Sequence, residues 1–254
     1  MRILFIGDIV GASGRQIVVD HLAAIKEEHS IDFVIANGEN SAHGKGITKK
    51  IYNQLIAAGI ECITMGNHSF AKREIIDDYE DCPELLIPAN IEPVEFGNYY
   101  KAYDVLGKSI CVVNLYGEAF MNRVGDSPYP YMEQLLEETE YDYYFVDFHA
   151  ESTSEKMLFA NVYKDDVGAV VGTHTHVQTS DERLIGNLAY ITDVGMCGAY
   201  DSIIGRDVEE LYRNVILHEK THFKVALGDA FLNAVIIDVD KETMQSQKIT
   251  RLNI

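Results

Sequence analysis

The sequence has no stretch near the ~20 consecutive apolar residues that a membrane-spanning helix needs, so a membrane protein is not expected. It opens Arg2-Ile3-Leu4-Phe5-Ile6-Gly7-Asp8, with neither a basic head nor a cleavage site. No signal peptide is therefore expected, and the cytoplasm is the expected compartment. The four cysteines, Cys62, Cys82, Cys111 and Cys197, are far apart and form no C-x-x-C pair. That pattern fits buried reduced thiols better than a disulfide frame or a zinc knuckle. Positive charge is scarce: 21 Lys and Arg stand against 40 Asp and Glu, a net charge of −19, and no Lys/Arg run occurs. Long nucleic acids are bound chiefly through such cations, so stable binding of a long polyanion is not expected. A phosphorylated partner should be small, with bound metal ions rather than side chains neutralising it.

Apolar residues make up 47% of the 254-residue chain and charged residues 24%, the balance of a folded protein with a real core. Apolar runs alternate with helix-like segments. Arg2–Ile6, Ile31–Ala36, Cys62–Met65, Tyr143–Phe148, Val167–Val171, Leu188–Thr192, Phe223–Ala226 and Ala230–Val239 read as strands. Tyr99–Leu106 and Ser109–Leu115 flank Gly107-Lys108 as a hairpin. Helices are expected over Gly14 to about His29, Thr48–Ala58, Ala71–Tyr79, Pro130–Glu140, Ser152–Tyr163 and near Asp207–Leu217. Thr48 is placed to cap its helix and Gly59 to stop it. With no repeat, low-complexity tract or linker, an α/β chain forming a single domain over residues 1–254 is expected.

Asp8, Glu39 and Asn40, Asn67 and His68, His149, and His174 with His176 each fall at the C-terminal end of an expected strand. Ligand sites of open α/β sheets collect at those ends. Taken singly, Asp8 could be a turn cap, and Glu39-Asn40 a polar loop. Gly66-Asn67-His68 is more pointed, because a glycine there lets backbone and ligand approach closely. In Gly172-Thr173-His174-Thr175-His176, two imidazoles past a strand end can converge on neighbouring ions, and imidazole suits Zn, Mn and Fe. His21, His29, His218 and His222 read as polar-surface or loop residues, and His43 is left open.

In this order the residues resemble the calcineurin-like metallophosphoesterases: an acid, a bridging acid, G-N-H, a lone His, then H-x-H. The resemblance is closer to the YmdB-like branch of bacterial phosphodiesterases. It rests on Ile6–Gly11, Asn37–Gly46, Thr64–His68, Asp147–Glu151, Val171–Thr179 and Ile191–Met196, and spans almost the whole chain. Two departures from the wider family stand out. Val10 occupies the position of a metal-binding His, and Glu39-Asn40 replaces a bridging Asp. Resemblance to the YmdB-like branch resolves both: it implies that Glu39 would bridge the ions and that Asn40 would replace the missing His. Ser69 also replaces a residue that is often acidic in the wider family.

The resemblance implies an α/β/β/α sandwich of two packed sheets flanked by helices. It also implies two divalent transition-metal ions sharing Glu39, one with Asp8, Asn40 and His176, the other with Asn67, His149 and His174. The oxygen- and imidazole-rich set favours Fe or Mn without excluding Zn. A small phosphoester, in particular a 2′,3′-cyclic nucleotide, would be attacked by a metal-bridging hydroxide, with His68 assisting the leaving group. Monoesterase action is possible on the same chemistry, and homo-oligomerisation is left open. The alternative is a non-catalytic, metal-stabilised nucleotide sensor or regulatory partner of RNA-processing proteins. The presence of every ligand type together with His68 argues against it.

Overall fold

Buried apolar runs form strands wherever turn residues bound them, and helices fill the longer amphipathic intervals. The computed structural model describes residues 1–93, 96–122 and 124–254. Its first half runs β1 (Arg2–Ile6), β2 (Asp8–Ile9), α1 (Gly11–His29), β3 (Phe33–Asn37), α2 (Lys49–Ala57), β4 (Cys62–Thr64), α3 (Arg73–Asp77), β5 (Leu85–Leu86), β6 (Tyr100–Val105) and β7 (Lys108–Tyr116). Then come α4 (Pro128–Glu138), β8 (Tyr143–His149), α5 (Thr153–Val162), β9 (Ala169–Thr173), β10 (Arg183–Ile185), β11 (Leu188–Ile191), β12 (Met196–Ala199), α6 (Val208–Val215), β13 (Ala230–Val239) and β14 (Ser246–Asn253).

The helix starts follow local chemistry. Thr48, Ser152 and Asp207 each accept a backbone N–H three residues on, from Ile51, Glu155 and Glu210, satisfying donors that a helix N-terminus leaves bare. Along α1, Gly14, Val18, Leu22 and Ile25 form the buried stripe. Gly14 must be glycine, because a Cβ there would run into the Cys197 carbonyl of β12.

Two mixed sheets result. One has eight strands in the order β2-β12-β13-β1-β3-β4-β5, with β14 also on β13; the other has six, β10-β11-β9-β8-β7-β6. Their faces meet over Ile3, Phe5, Phe33, Ile35, Ile110, Val112, Phe145 and Val171. Phe5 stacks on Phe145 across this gap with centroids 5.5 Å apart, a geometry worth about 0.5–1.5 kcal/mol beyond the area it buries. The outer face of the larger sheet packs on residues of α1 and α2, including Val18, Leu22 and Leu55. That of the smaller sheet packs on α4 and α5 through Met132, Leu135, Phe159 and Ala160. The layers are therefore α/β/β/α, as expected.

The structure differs from the sequence expectations in several places. Phe223–Ala226 is not a strand: Val225 makes only an isolated bridge to Arg206, and the segment is otherwise irregular. Asp8 does not end the first strand but begins β2, which pairs with β12. His149 is the last residue of β8 rather than the residue after it. Helix α1 starts at Gly11, three residues early, and α3 is shorter than expected. Strands β2, β5, β10, β12 and β14 carry no apolar alternation long enough to show. β14, Ser-Gln-Lys-Ile-Thr-Arg-Leu-Asn, is largely polar because it pairs on one side only.

Candidate metal centre

Parallel pairing of β1 with β3, β3 with β4, β7 with β8, and β8 with β9 sends the C-terminal ends of these strands toward one edge. Glu39 and Asn40 leave β3 there, Asn67 and His68 follow β4, His149 closes β8, and His174 and His176 follow β9. The loop after β9 turns sharply: His174 has φ 101° and His176 φ 66°. These left-handed conformations are unusual for a residue with a Cβ and gather at functional sites. They resolve how two histidines two apart can face one place.

Eight residues singled out in the sequence, Asp8, Glu39, Asn40, Asn67, His68, His149, His174 and His176, meet at this edge. Two sets of ligand atoms form, Glu39 with His149 and His174, and Glu39 with Asp8 and His176, each set lying within 4.8 Å of one another. Glu39 is common to both. Its Oε1 lies 3.3 Å from His149 Nε2 and accepts Asn40 Nδ2 at 2.9 Å. Asn40 Nδ2 is also 3.4 Å from Asp8 Oδ1 and 3.1 Å from His176 Nε2. On the other side, Asn67 Oδ1 is 2.9 Å from His149 Nε2 and 3.1 Å from His174 Nδ1. The two histidine nitrogens are themselves 3.1 Å apart. Gly66 allows this crowding, since a Cβ there would run into His149 Nε2 and Glu39 Oε2.

Buried partners fix which nitrogen of each imidazole faces inward. Thr173 Oγ1 donates to Asp147 Oδ1 at 2.7 Å, so its contact with His149 Nδ1 at 2.8 Å must be accepted from an Nδ1–H. His149 Nε2 is then left as a lone pair. His176 Nδ1 donates to the Ile204 carbonyl at 2.9 Å, which likewise leaves its Nε2 free to bind. His174 turns Nε2 to Glu151 at 3.2 Å and presents Nδ1. Asp147 is buried and also accepts from Thr64 Oγ1 at 2.5 Å and Asn37 Nδ2 at 3.1 Å. Imidazole held this way, by a hydroxyl, carbonyl or carboxylate on its far nitrogen, is the arrangement metal sites use.

Electrostatics point the same way. Burial pushes the Asp8 carboxyl up to about 7, against the pull of His176 and His149 and with added push from Glu39 and Asp193. Burial also works to raise Glu39, but the charge of His149, its hydrogen bond and His68 hold it below the ordinary carboxylate range. Burial lowers His149 less than Glu39, Asp8 and Asp147 raise it, so it rises to about 9. Burial and His149 take His174 down to about 3. A donor set of two shared-carboxylate clusters, with lone pairs turned toward one another, fits a pair of divalent ions.

His68 stands beside the clusters. Its backbone N–H donates to Glu39 Oε2 at 3.0 Å, and its Nε2 lies 3.2 Å from Asn67 Nδ2. With Asn67 Oδ1 turned to the histidines, Asn67 Nδ2 is the donor and His68 carries its proton on Nδ1. Burial lowers the His68 pKa, Glu39 opposes this, and the charges of Lys45, His149 and His176 add to the lowering. The clusters open into a cavity of about 380 Å³ lined further by Val10, Lys45, Glu151, Arg206 and Phe223. His43, which the sequence left open, is exposed and does not line it.

Sequence reasoning missed the supporting residues. Asp147 had a signal, since a carboxylate two residues before His149 shares its side of a strand. Lys156 had one too, as a cation on the buried stripe with Phe159 and Ala160. It is fully buried, donating to Asp193 Oδ2 at 3.0 Å and the Thr173 carbonyl at 2.9 Å. Arg206 and Phe223 lie in irregular segments and had none.

Two packed sheets carrying a strand-end cluster of carboxylates, amides and imidazoles define the metallophosphoesterase class of fold. Within it, the chain belongs to the family described as YmdB-like protein, which matches residues 4–252. It is 44% identical over 257 residues to the 2′,3′-cyclic-nucleotide 2′-phosphodiesterase of Bacillus subtilis, covering 100% of this chain and 97% of that protein. A crystal structure described as a novel phosphatase of Mycoplasma pneumoniae superposes with TM-score 0.94 at 34% identity, over 100% of this chain and 93% of the other. The NAD nucleotidase of Haemophilus influenzae shares the fold at TM-score 0.57 and 13% identity, over 100% of this chain and 55% of that one. Among the described residues no helix is long and apolar enough to cross a membrane.

Proposed function

We propose that the chain is a cytoplasmic phosphodiesterase, acting as one catalytic unit over residues 1–254 and hydrolysing small phosphodiesters, 2′,3′-cyclic nucleotides first among them. The observation that carries the reading is the pair of ligand sets sharing Glu39. Asp8, Asn40 and His176 would complete one ion's shell; Asn67, His149 and His174 would complete the other's. Iron or manganese suits these oxygen and imidazole donors best, with zinc also accommodated. Two such ions supply Lewis acidity, activating water and neutralising phosphate charge. The substrate class is supported by the full-length similarity to the Bacillus subtilis enzyme. Four free, buried cysteines agree with a reducing compartment.

The side chains do the rest. Val10 and the glycine-bearing loops leave room for a mononucleotide-sized ester in the 380 Å³ cavity. His68 lines the same cavity beside the ligand sets, which puts it within reach of a departing ribose oxygen that it would protonate. Metal-loaded wild-type protein should hydrolyse 2′,3′-cyclic AMP. His68→Ala should keep its metal while slowing that ester by about 10²–10⁴-fold, the range for a positioned general acid. An ester with a nitrophenolate leaving group should be slowed far less. No turnover after loading with Mn or Fe would overturn the reading, and equal slowing of both esters would remove His68 from the role.

A further inference from the structure

Two cationic side chains line the cavity, Lys45 and Arg206, and they are held in opposite ways. Arg206 is clamped by Glu210, with Nε 2.7 Å from Oε2 and an Nη 2.9 Å from Oε1. Its charge is matched by a carboxylate. Lys45 makes no ion pair among the described residues. Its Nζ instead lies 4.8 Å from the centroid of Phe223, a ring that also carries the Arg206 guanidinium at 5.3 Å. An aromatic face attracts an ammonium without neutralising it. Lys45 is thus a cation at the mouth of the site that no carboxylate among the described residues matches.

The backbone ties this cation to the centre. Lys45 lies on the loop that opens with Glu39 and Asn40. Within that loop the Gly46 N–H donates to the Glu39 carbonyl, Gly44 N–H to the Asn40 carbonyl at 3.0 Å, and Ala42 N–H to the Gly46 carbonyl at 2.8 Å. Gly44 and Gly46 flank Lys45 with φ 78° and 77°, conformations that need glycine. A Cβ on Gly44 would also sit 2.9 Å from Phe223 Cε1. Phe223 thus packs on bare backbone one residue from Lys45, although 45% of its surface is exposed.

We propose that Lys45 binds the anionic phosphate of the substrate at the cavity mouth, and that Phe223 is its positioning residue. The assignment rests on the phosphodiesterase reading and deepens it: the site takes a small ester with a single phosphate, met by one side-chain cation outside the ligand sets. A surface lysine merely resting on a ring is the competing account.

The test uses metal-loaded enzyme with 2′,3′-cyclic AMP for turnover and inorganic phosphate for calorimetric binding. Lys45→Met should keep wild-type metal content, raise KM roughly 10–100-fold as expected for loss of a charge-assisted contact, and flatten the rise of KM with salt. Lys45→Arg should recover most of the loss. Phe223→Leu should raise KM several-fold while Phe223→Tyr stays near wild type, and Phe223→Leu should add nothing once Lys45 is Met. Phosphate should bind Lys45→Met about tenfold or more weakly. Wild-type KM, salt dependence and phosphate affinity in Lys45→Met would overturn the proposal, as would a Phe223→Leu effect undiminished in the Met background. Wild-type protein that binds phosphate through Lys45 but hydrolyses no diester would overturn the phosphodiesterase reading and leave this one standing.

Discussion

Removing the ammonium of Lys156 tests what holds the H-x-H loop in its left-handed conformation. Lys156 and Asp193 are both fully buried. Asp193 Oδ2 accepts Lys156 Nζ at 3.0 Å and Thr175 N–H at 3.0 Å, and its Oδ1 accepts Gly195 N–H at 2.8 Å. Lys156 Nζ also reaches the Thr173 carbonyl at 2.9 Å. The pair therefore grips the chain on both sides of His174. Lys156→Met keeps the volume and length but strands a buried carboxylate with two backbone donors and no cation, and frees the Thr173 carbonyl. Breaking one partner of a buried pair costs about 3–5 kcal/mol, a large part of a total stability of roughly 5–15 kcal/mol. Removing both charges is cheaper, so Lys156→Met with Asp193→Asn should regain more than half the loss. Urea unfolding of the metal-free proteins, followed by circular dichroism, gives both values, and metal analysis should show that the single variant also binds metal more weakly. A single variant within about 1 kcal/mol of wild type, below the range for such pairs, refutes the reasoning. So does a double variant no better than the single.

Glu39→Gln should lose metal most severely, from near two ions per chain to one or fewer, because a neutral amide bridges two cations poorly; elemental analysis after reconstitution decides it, and full occupancy would remove Glu39 as the shared ligand. Thr173→Val takes away both the acceptor for His149 Nδ1–H and a donor to Asp147. Metal affinity should fall about 10–100-fold, the usual effect of losing such a partner, and unchanged affinity by competition with a chelator would show that β8 alone orients His149.

The sequence was most readable where polar residues interrupt apolar runs. Glu39, Asn67, His149 and His174 mark strand ends because a buried strand that stops near a ligand-type residue leaves a sharp contrast in hydropathy. β13, Ala230–Val239, matches its expected bounds for the same reason. Contrast fails on the sheet edges. β14 alternates polar and apolar weakly because one of its sides has no partner strand. β2 and β5 are two residues each, too short for any period to register. Phe223–Ala226 shows the converse error, in which an apolar segment read as a strand is a loop. Val225 packs against Gly11 and Gly44, and Phe223 against Gly44.

The residues that hold the candidate ligands were harder to see than those candidates, and the reason is physical. A ligand needs a particular atom type, so its identity is constrained and stands out in a motif. A holder needs only one donor or acceptor at the right distance, which a hydroxyl, carbonyl or carboxylate can supply. Thr173 serves His149, the Ile204 backbone carbonyl serves His176, and the Glu151 carboxylate serves His174. The Ile204 contact leaves no trace in the sequence, because any residue has that carbonyl. Yet Ile204 itself has φ 47°, and Gly205 beside it packs against Val10, where the wider family has a histidine. The missing imidazole therefore leaves room at Val10 for this loop to come close, and the loop that fills it carries the carbonyl that orients His176 and, at Arg206, a wall of the cavity. Restoring bulk by Val10→His should push Gly205 away. The loss should appear first in metal bound through His176, so elemental analysis should find one ion retained and the other lost; two ions at wild-type affinity would show that the loop and the imidazole do not compete for the same space.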